Sequence, residues 1–250
     1  MSAGLRVKRQ TINITVDQTT YDIAGFTDIE FETTSKTPPR VIFLSARQMQ
    51  IKSVAVNQNP AEYTFIDSRR AFDFETSQLI RDASNFTAVC LTVLQSPDLI
   101  IPLTQEMLGI EGNEIKENQS LTINVRVEFH VNNDSTAIIR ENDVIFTDNE
   151  ADGPSSWFPC VDTKAQRSYY TLIMTVTDKI ICIGPGQPSI IAADPKTHTN
   201  SIQDKISFPV VPSSIGFVLG PFITEPFPTD FYDSKIYYLS DKETFLNTVE

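Results

Sequence analysis

Period-two alternation limits this chain's possible folds more than any other feature. Leu121, Ile123, Val125, Val127, Phe129 and Val131 are interleaved with Thr122, Asn124, Arg126, Glu128 and His130. An extended segment with that order buries one face and wets the other, which is the arrangement of antiparallel sheet. The same rhythm marks Ile12, Ile14 and Val16, and again Ile29 and Phe31. Further strands are predicted over residues 41–44, 51–56, 63–66, 86–94, 169–176, 180–183, 206–211, 215–219 and 236–239. Lys36-Thr37-Pro38-Pro39, Asn57-Gln58-Asn59-Pro60, Gly184-Pro185-Gly186 and Ala193-Asp194-Pro195 supply the turns between them. Many short strands at this spacing predict an all-β fold, an antiparallel, saddle-like β-sandwich with little helix.

Helical pattern is confined to two places. Residues 102–108 can form one turn ended by Gly109, and Ser240 with Glu243 makes a capping box ahead of Phe245, Leu246 and Val249. The second helix opens well and is cut short, so residues 1–235 read as one domain and residues 236–250 as the start of another. A chain of 250 residues with 40% hydrophobic side chains can bury a core without disulfides or metals.

Thirty-two acidic against twenty basic residues give a formal charge of −12. That sign repels phosphate backbones and anionic lipid, so direct binding to nucleic acid or membrane is disfavoured. Arg6, Lys8 and Arg9 form a short basic cluster that reads as a solvated, frayed terminus. The three cysteines, Cys90, Cys160 and Cys182, lie far apart, a pattern of small buried thiols in a reducing compartment. The chain contains two histidines, His130 and His198, neither of them in a His-Glu-x-x-His pattern. A zinc hydrolase needs two imidazoles one helical turn apart, a carboxylate ligand and a glutamate base, so no metal or other cofactor is predicted.

The stretch from Trp157 to Asp162, Trp-Phe-Pro-Cys-Val-Asp, is followed by Arg167, Tyr169 and Tyr170 and the alternating Leu172, Met174 and Val176. Read from physics alone, Trp157 and Phe158 are large core residues, Pro159 fixes a bend, Cys160 fills a tight gap and Asp162 accepts backbone N–H bonds in a turn. Burial of each of the two aromatic side chains stabilises the fold by about 1.5 to 3 kcal/mol. Upstream come Tyr21-Asp22-Ile23-Ala24-Gly25-Phe26, then Val41-Ile42-Phe43-Leu44, then the strand from Ile51 to Val56, then the long strand ending at Val131. In this order the chain resembles the N-terminal β-domain of the zinc aminopeptidase family, aminopeptidase N type. Active members carry Thr-Gln-x-Glu, then an Arg, then Phe-Pro-Cys-x-Asp-Glu-Pro. The matching positions here are Thr147-Asp148-Asn149-Glu150, then Ser155, Ser156 and Trp157, then Phe158 to Asp162, with Thr163 and Lys164 where Glu-Pro is usual.

Trp157 and the later Gly216-Phe217-Val218-Leu219-Gly220-Pro221-Phe222 are closer to a non-catalytic branch of the family. That resemblance implies a non-enzymatic interaction domain in the nucleus. Its partners would be the other subunits of a large transcription factor complex, with promoter DNA reached only indirectly. The alternative is the N-terminal substrate-recognition domain of an active zinc aminopeptidase. Glu150, with Asp148 beside it, would then stand where the family grips the substrate's free α-amino group. Read without the resemblance, Glu150 is a solvated loop acid in a run rich in acids.

Overall fold

The computed structural model describes residues 4–67, 97–110, 120–131, 134–149, 153–228 and 233–239. Along the chain come β1 (Leu5–Val16), β2 (Ile23–Thr33), β3 (Val41–Leu44), β4 (Met49–Val56) and the two-residue β5 (Asn59–Pro60) and β6 (Thr64–Phe65). β7 (Leu99–Pro102) leads into a single helical turn, α1 (Gln105–Leu108), and then β8 (Thr122–Val131), β9 (Ile138–Glu141) and β10 (Val144–Thr147). β11 (Tyr169–Thr177), β12 (Ile181–Ile183), β13 (Gln187–Asp194), β14 (Thr199–Lys205), β15 (Val218–Gly220), β16 (Ile223–Pro228) and β17 (Asp233–Tyr238) follow.

The long alternating run becomes β8, inside an eight-stranded sheet of order β13-β14-β11-β1-β2-β8-β4-β5. Its odd-numbered residues are buried and its even-numbered ones face solvent, as the pattern requires. Smaller sheets, β12-β15-β10-β9 and β3-β7-β6, complete the β-sandwich, and β16 and β17 pair with each other. Ile12, Ile14, Ile29, Val127 and Phe129 from the large sheet and Ile42, Ile101, Ile145 and Leu219 from the smaller ones belong to one hydrophobic core. Among the described residues all the ladders are antiparallel except one. β1 runs parallel to β11 from Arg9 beside Tyr169 to Thr15 beside Thr175. Parallel neighbours need a long crossover, and the whole chain between them supplies it.

α1 ends at Gly109 as the sequence predicts, and its N-cap, which the sequence reading did not single out, is Thr104. The Thr104 side chain accepts a bond from the N–H of Met107, and Gly109 closes the turn at φ 62°, a left-handed conformation that glycine adopts without strain.

Several elements differ from expectation. The basic cluster Arg6, Lys8 and Arg9 lies within β1 rather than in a frayed end, because Leu5 and Val7 pack into the core and carry the strand back to Leu5. Residues 206–211 do not form the predicted strand: Pro209 and Pro212 lack N–H donors, and only Ser168 and Val210 bridge there. In their place, β13 and β14 make a hairpin, concealed because β13 has no buried face and so no alternating pattern. The predicted strand over 86–94 and the capped helix from Ser240 lie outside the described residues, as does Cys90.

Candidate functional site

Residues 153–160 form an unbroken buried run, and the Trp-Phe-Pro-Cys motif lies inside it. Pro154 opens a short 3-10 turn, Pro154–Ser156, where its missing N–H costs nothing. Gly153 precedes it because the backbone there is in contact with the preceding strand's exit. A Cβ on Gly153 would land on the carbonyl oxygen of Asp148 and 2.6 Å from the Asn149 Cα.

The turn drops Trp157 and Phe158 into the core, where both are fully buried. Their ring centroids are 4.4 Å apart at 63°. Phe217 meets Trp157 edge-on at 5.3 Å, and Tyr170 meets Phe158 at 6.5 Å. Edge-to-face contacts of this kind add stability beyond simple area burial. The carbonyl of Pro159 accepts a 2.8 Å bond from Gln10 Nε2, and Gln10 also donates to Thr27 Oγ1. Cys160 exchanges both backbone bonds with Ser45, at 2.8 and 3.0 Å. The motif therefore joins β1, the β3–β4 connection, β11 and the segment before β15.

The electrostatics of this region are those of a sealed interior. Arg47 and Asp98 form an ion pair at 3.3 Å with both side chains almost wholly buried, and Asp98 also accepts from the N–H of Ala46. Burial pushes the Cys160 thiol well up, with the negative charge of Asp162 adding to the effect. Burial likewise raises the Tyr170 phenol, and it pushes Cys182 up to about 12. Thiols held in the neutral form are poor nucleophiles. Cys160 and Cys182 are free and buried, and Cys182 Sγ lies 3.2 Å from Met174 Sδ. Asp162 is half-buried at the motif's exit.

The Thr147-Asp148-Asn149 segment is pinned on both sides. Thr147 Oγ1 accepts from the N–H of Phe217, Asn149 Nδ2 donates to the carbonyl of Ile215, and Asn149 Oδ1 accepts from Trp157 Nε1 at 3.4 Å. Asp148 is half-buried and its N–H donates to the carbonyl of Ala137. Glu150 lies outside the described residues. His130 on β8 sits 3.8 Å from Asp22, and His198, in the β13–β14 turn, 3.3 Å from Asp178, so the histidines occupy separate elements. Among the described residues, no group of three His, Cys, Asp or Glu side chains is placed to hold a metal ion.

Sequence reasoning passed over a second feature, a trough of about 640 Å³ on the solvent face of the large sheet. It crosses β1, β2, β8 and β4 and is lined by Arg9, Asp28, Glu30, Asn57, Gln58 and Arg126 among others. A β-bulge in β1 creates its basic rim. Val7 pairs with Phe31 and Arg9 with Glu30, so Lys8 is the extra residue, and Lys8 and Arg9 both point outward. A signal for the bulge was present: buried positions are odd at Leu5 and Val7 but even at Ile12, Ile14 and Val16, which a strand can satisfy only with one residue too many.

No protein-family model matches the chain. It is similar to transcription initiation factor TFIID subunit 2 of Drosophila melanogaster, 26% identical over 200 residues that make up 73% of this chain and 16% of that protein. The chain thus spans about a sixth of the length of that curated relative. Its fold is that of the N-terminal β-sandwich of M1 zinc aminopeptidases. A solved M1 zinc metallopeptidase from Deinococcus radiodurans superposes over 94% of this chain and 46% of its own, with a TM-score of 0.65 and 11% identity. Yeast LTA4 hydrolase in complex with bestatin superposes over 89% of this chain and 30% of its own, with a TM-score of 0.63 and 16% identity.

Proposed function

We propose that this chain is a non-catalytic interaction domain of a TFIID subunit, acting in the nucleus to support assembly of the RNA polymerase II preinitiation complex at core promoters. The observation that carries this reading is the similarity to the fly TFIID subunit across 73% of the chain. Burial of residues 153–160 supports it, because Trp157, Phe158, Pro159 and Cys160 are committed to packing and leave no reactive group exposed. Together with Asp162 they are the structural motif of a domain covering residues 1–235, with residues 236–250 leading into the next. The domain works by shape and needs no cofactor. Its partners are other subunits of the complex. With a formal charge of −12 it reaches promoter DNA only through them, and membranes have no part in the reading.

The test is affinity purification of the tagged chain from nuclear extract, with mass spectrometry of what is retained. Other TFIID subunits are expected, and no binding of a core-promoter duplex by the isolated chain at physiological salt. Retention of no TFIID subunit would overturn the reading.

The fold likeness to a zinc metallopeptidase over 94% of the chain favours a second reading. Here the chain is the substrate-recognition domain of an active aminopeptidase whose catalytic domain lies beyond residue 250, with Glu150 and Asp148 at the substrate's amino group. Two findings decide for it: a His-Glu-x-x-His motif in the polypeptide beyond Glu250, and zinc-dependent release of N-terminal residues by the full-length protein.

A further inference from the structure

We propose that Thr37, in the loop between β2 and β3, is a phosphorylation site for a proline-directed serine/threonine kinase, with Arg40 as the second residue the kinase reads. The assignment stands whichever assembly the chain joins.

The segment Thr37-Pro38-Pro39-Arg40 supplies the chemistry. Proline carries no N–H. An enzyme pocket that offers no hydrogen-bond partner to the residue after the acceptor therefore takes proline and leaves any other residue's donor unsatisfied. The Thr37–Pro38 bond is trans, and a residue before proline is driven toward the extended conformation in which a chain threads a cleft. Two successive prolines also favour the polyproline helix, whose three residues per turn bring Thr37 and Arg40 to one side, about 9 Å apart. A guanidinium there gives an acidic kinase surface a partner for two parallel bonds.

The fold leaves this acceptor open. Residues 34–37 and Arg40 are exposed. The Ser35 hydroxyl accepts the Thr37 N–H at 3.1 Å, whereas the Thr37 hydroxyl makes no bond among the described residues. The chain has one other Ser/Thr-Pro step, Ser96-Pro97. It is followed by Asp98, held in the buried pair with Arg47, and by the fully buried Leu99 of β7, so presenting it would break the core. Support under Thr37 is lighter. Pro39 is buried and the Arg40 carbonyl accepts from the Leu103 N–H, and lifting these from the end of β3 is a local opening that leaves the core strands paired. In the transfer, Thr37 Oγ1 bonds to the γ-phosphorus of ATP as the bond from that phosphorus to the β–γ bridging oxygen breaks. ADP leaves with the electron pair, and the hydroxyl proton passes to the kinase's catalytic carboxylate. The product adds a charge of about −1.5 to −2 to the loop.

The experiment incubates the whole chain and its T37V, P38A and R40Q variants with ATP and a purified cyclin-dependent kinase. Mass spectrometry locates the modified residue, and a peptide of residues 32–43 is the control for kinase activity. All three positions lie in the surface loop, so the variants are expected to melt with the wild type. One phosphoryl group is expected on Thr37 of the wild type and none on T37V. P38A should slow the transfer by roughly tenfold to a hundredfold, the scale of one donor left unsatisfied in the kinase. R40Q should slow it by roughly tenfold, the scale of a lost charge-assisted bond. A wild-type chain left unmodified while the peptide is consumed would overturn the proposal, as would modification of Ser96 in preference to Thr37. Transfer to P38A or R40Q at the wild-type rate would do so too.

Discussion

Replacing Phe158 by alanine tests whether the buried motif is the packing centre of the domain. The side chain is fully buried and contacts Trp157 at 4.4 Å and Tyr170 at 6.5 Å. Phe→Ala in a core costs about 3 to 5 kcal/mol from lost transfer energy and the cavity left behind. With its two aromatic contacts this site falls in the middle of that range, at about 4 kcal/mol. Whole-domain stabilities run from about 5 to 15 kcal/mol, so the variant should fold with little to spare. With a urea m-value of roughly 3 kcal/mol/M for a chain of this size, the midpoint should fall by about 1.3 M. The chain carries a single tryptophan, and it is Trp157. Its emission therefore reports the same site without an added label. A midpoint shift below about 0.4 M at unchanged m, which corresponds to roughly 1 kcal/mol, would refute the reasoning. It would mean that neighbouring elements collapse into the space and that no rigid centre exists there.

Gly153→Ala should lower the melting temperature despite its ordinary φ of −52°. The new methyl meets backbone atoms of Asp148 and Asn149, an overpacking cost of roughly 3 kcal/mol readable by calorimetry. Asp204→Asn should stabilise the domain at neutral pH. Burial raises the Asp204 carboxyl above its usual value, with the Gly186 N–H offsetting part of the effect, so folding favours the neutral acid. The resulting penalty is absent below the unfolded pKa of about 4 and grows as pH rises through the folded value. Melting curves of the variant and the wild type should therefore converge in acid and separate toward neutrality, and parallel curves would contradict this. Ser156→Arg should destabilise by about 4 kcal/mol, lowering the melting temperature by about 10 °C, because Ser156 is 1% exposed. A variant that melts with the wild type would show that the turn can open to admit the guanidinium.

Strands with clean alternation were legible because burial of one face writes itself into every second residue. β8 and β11 are of this kind. β13 was not legible, since all eight of its residues are exposed and none is selected for burial. Residues 206–211 misled in the opposite direction: Ile206 and Val210 are buried and strand-like in type, but the prolines between and after them remove the donors a ladder needs. At the site, the aromatic core positions were readable from residue type alone. Gln10 was not, because a buried glutamine bonded to Thr27 and Pro159 depends on a parity switch in β1 that no single residue announces. Arg9 was missed for the same reason. Its exposure follows from the bulge.

The departures from the aminopeptidase pattern are not equivalent physically. Thr163 and Lys164, after the motif, are half-buried and exposed, where a change of side chain costs little. Ser155 and Ser156 are different, because both are buried and their carbonyls are occupied, Ser155 accepting from the Arg47 N–H at 2.7 Å and Ser156 from Ser135 Oγ at 2.9 Å. The family's arginine at this point would need either solvent or a carboxylate beside it. The buried carboxylate bonded nearby, Asp98, is already paired with Arg47. A turn that has closed over two serines has no room for a guanidinium, so putting the arginine back alone should cost stability. That makes the two serines, more than the residues around Glu150, the place where the non-catalytic reading draws its physical support.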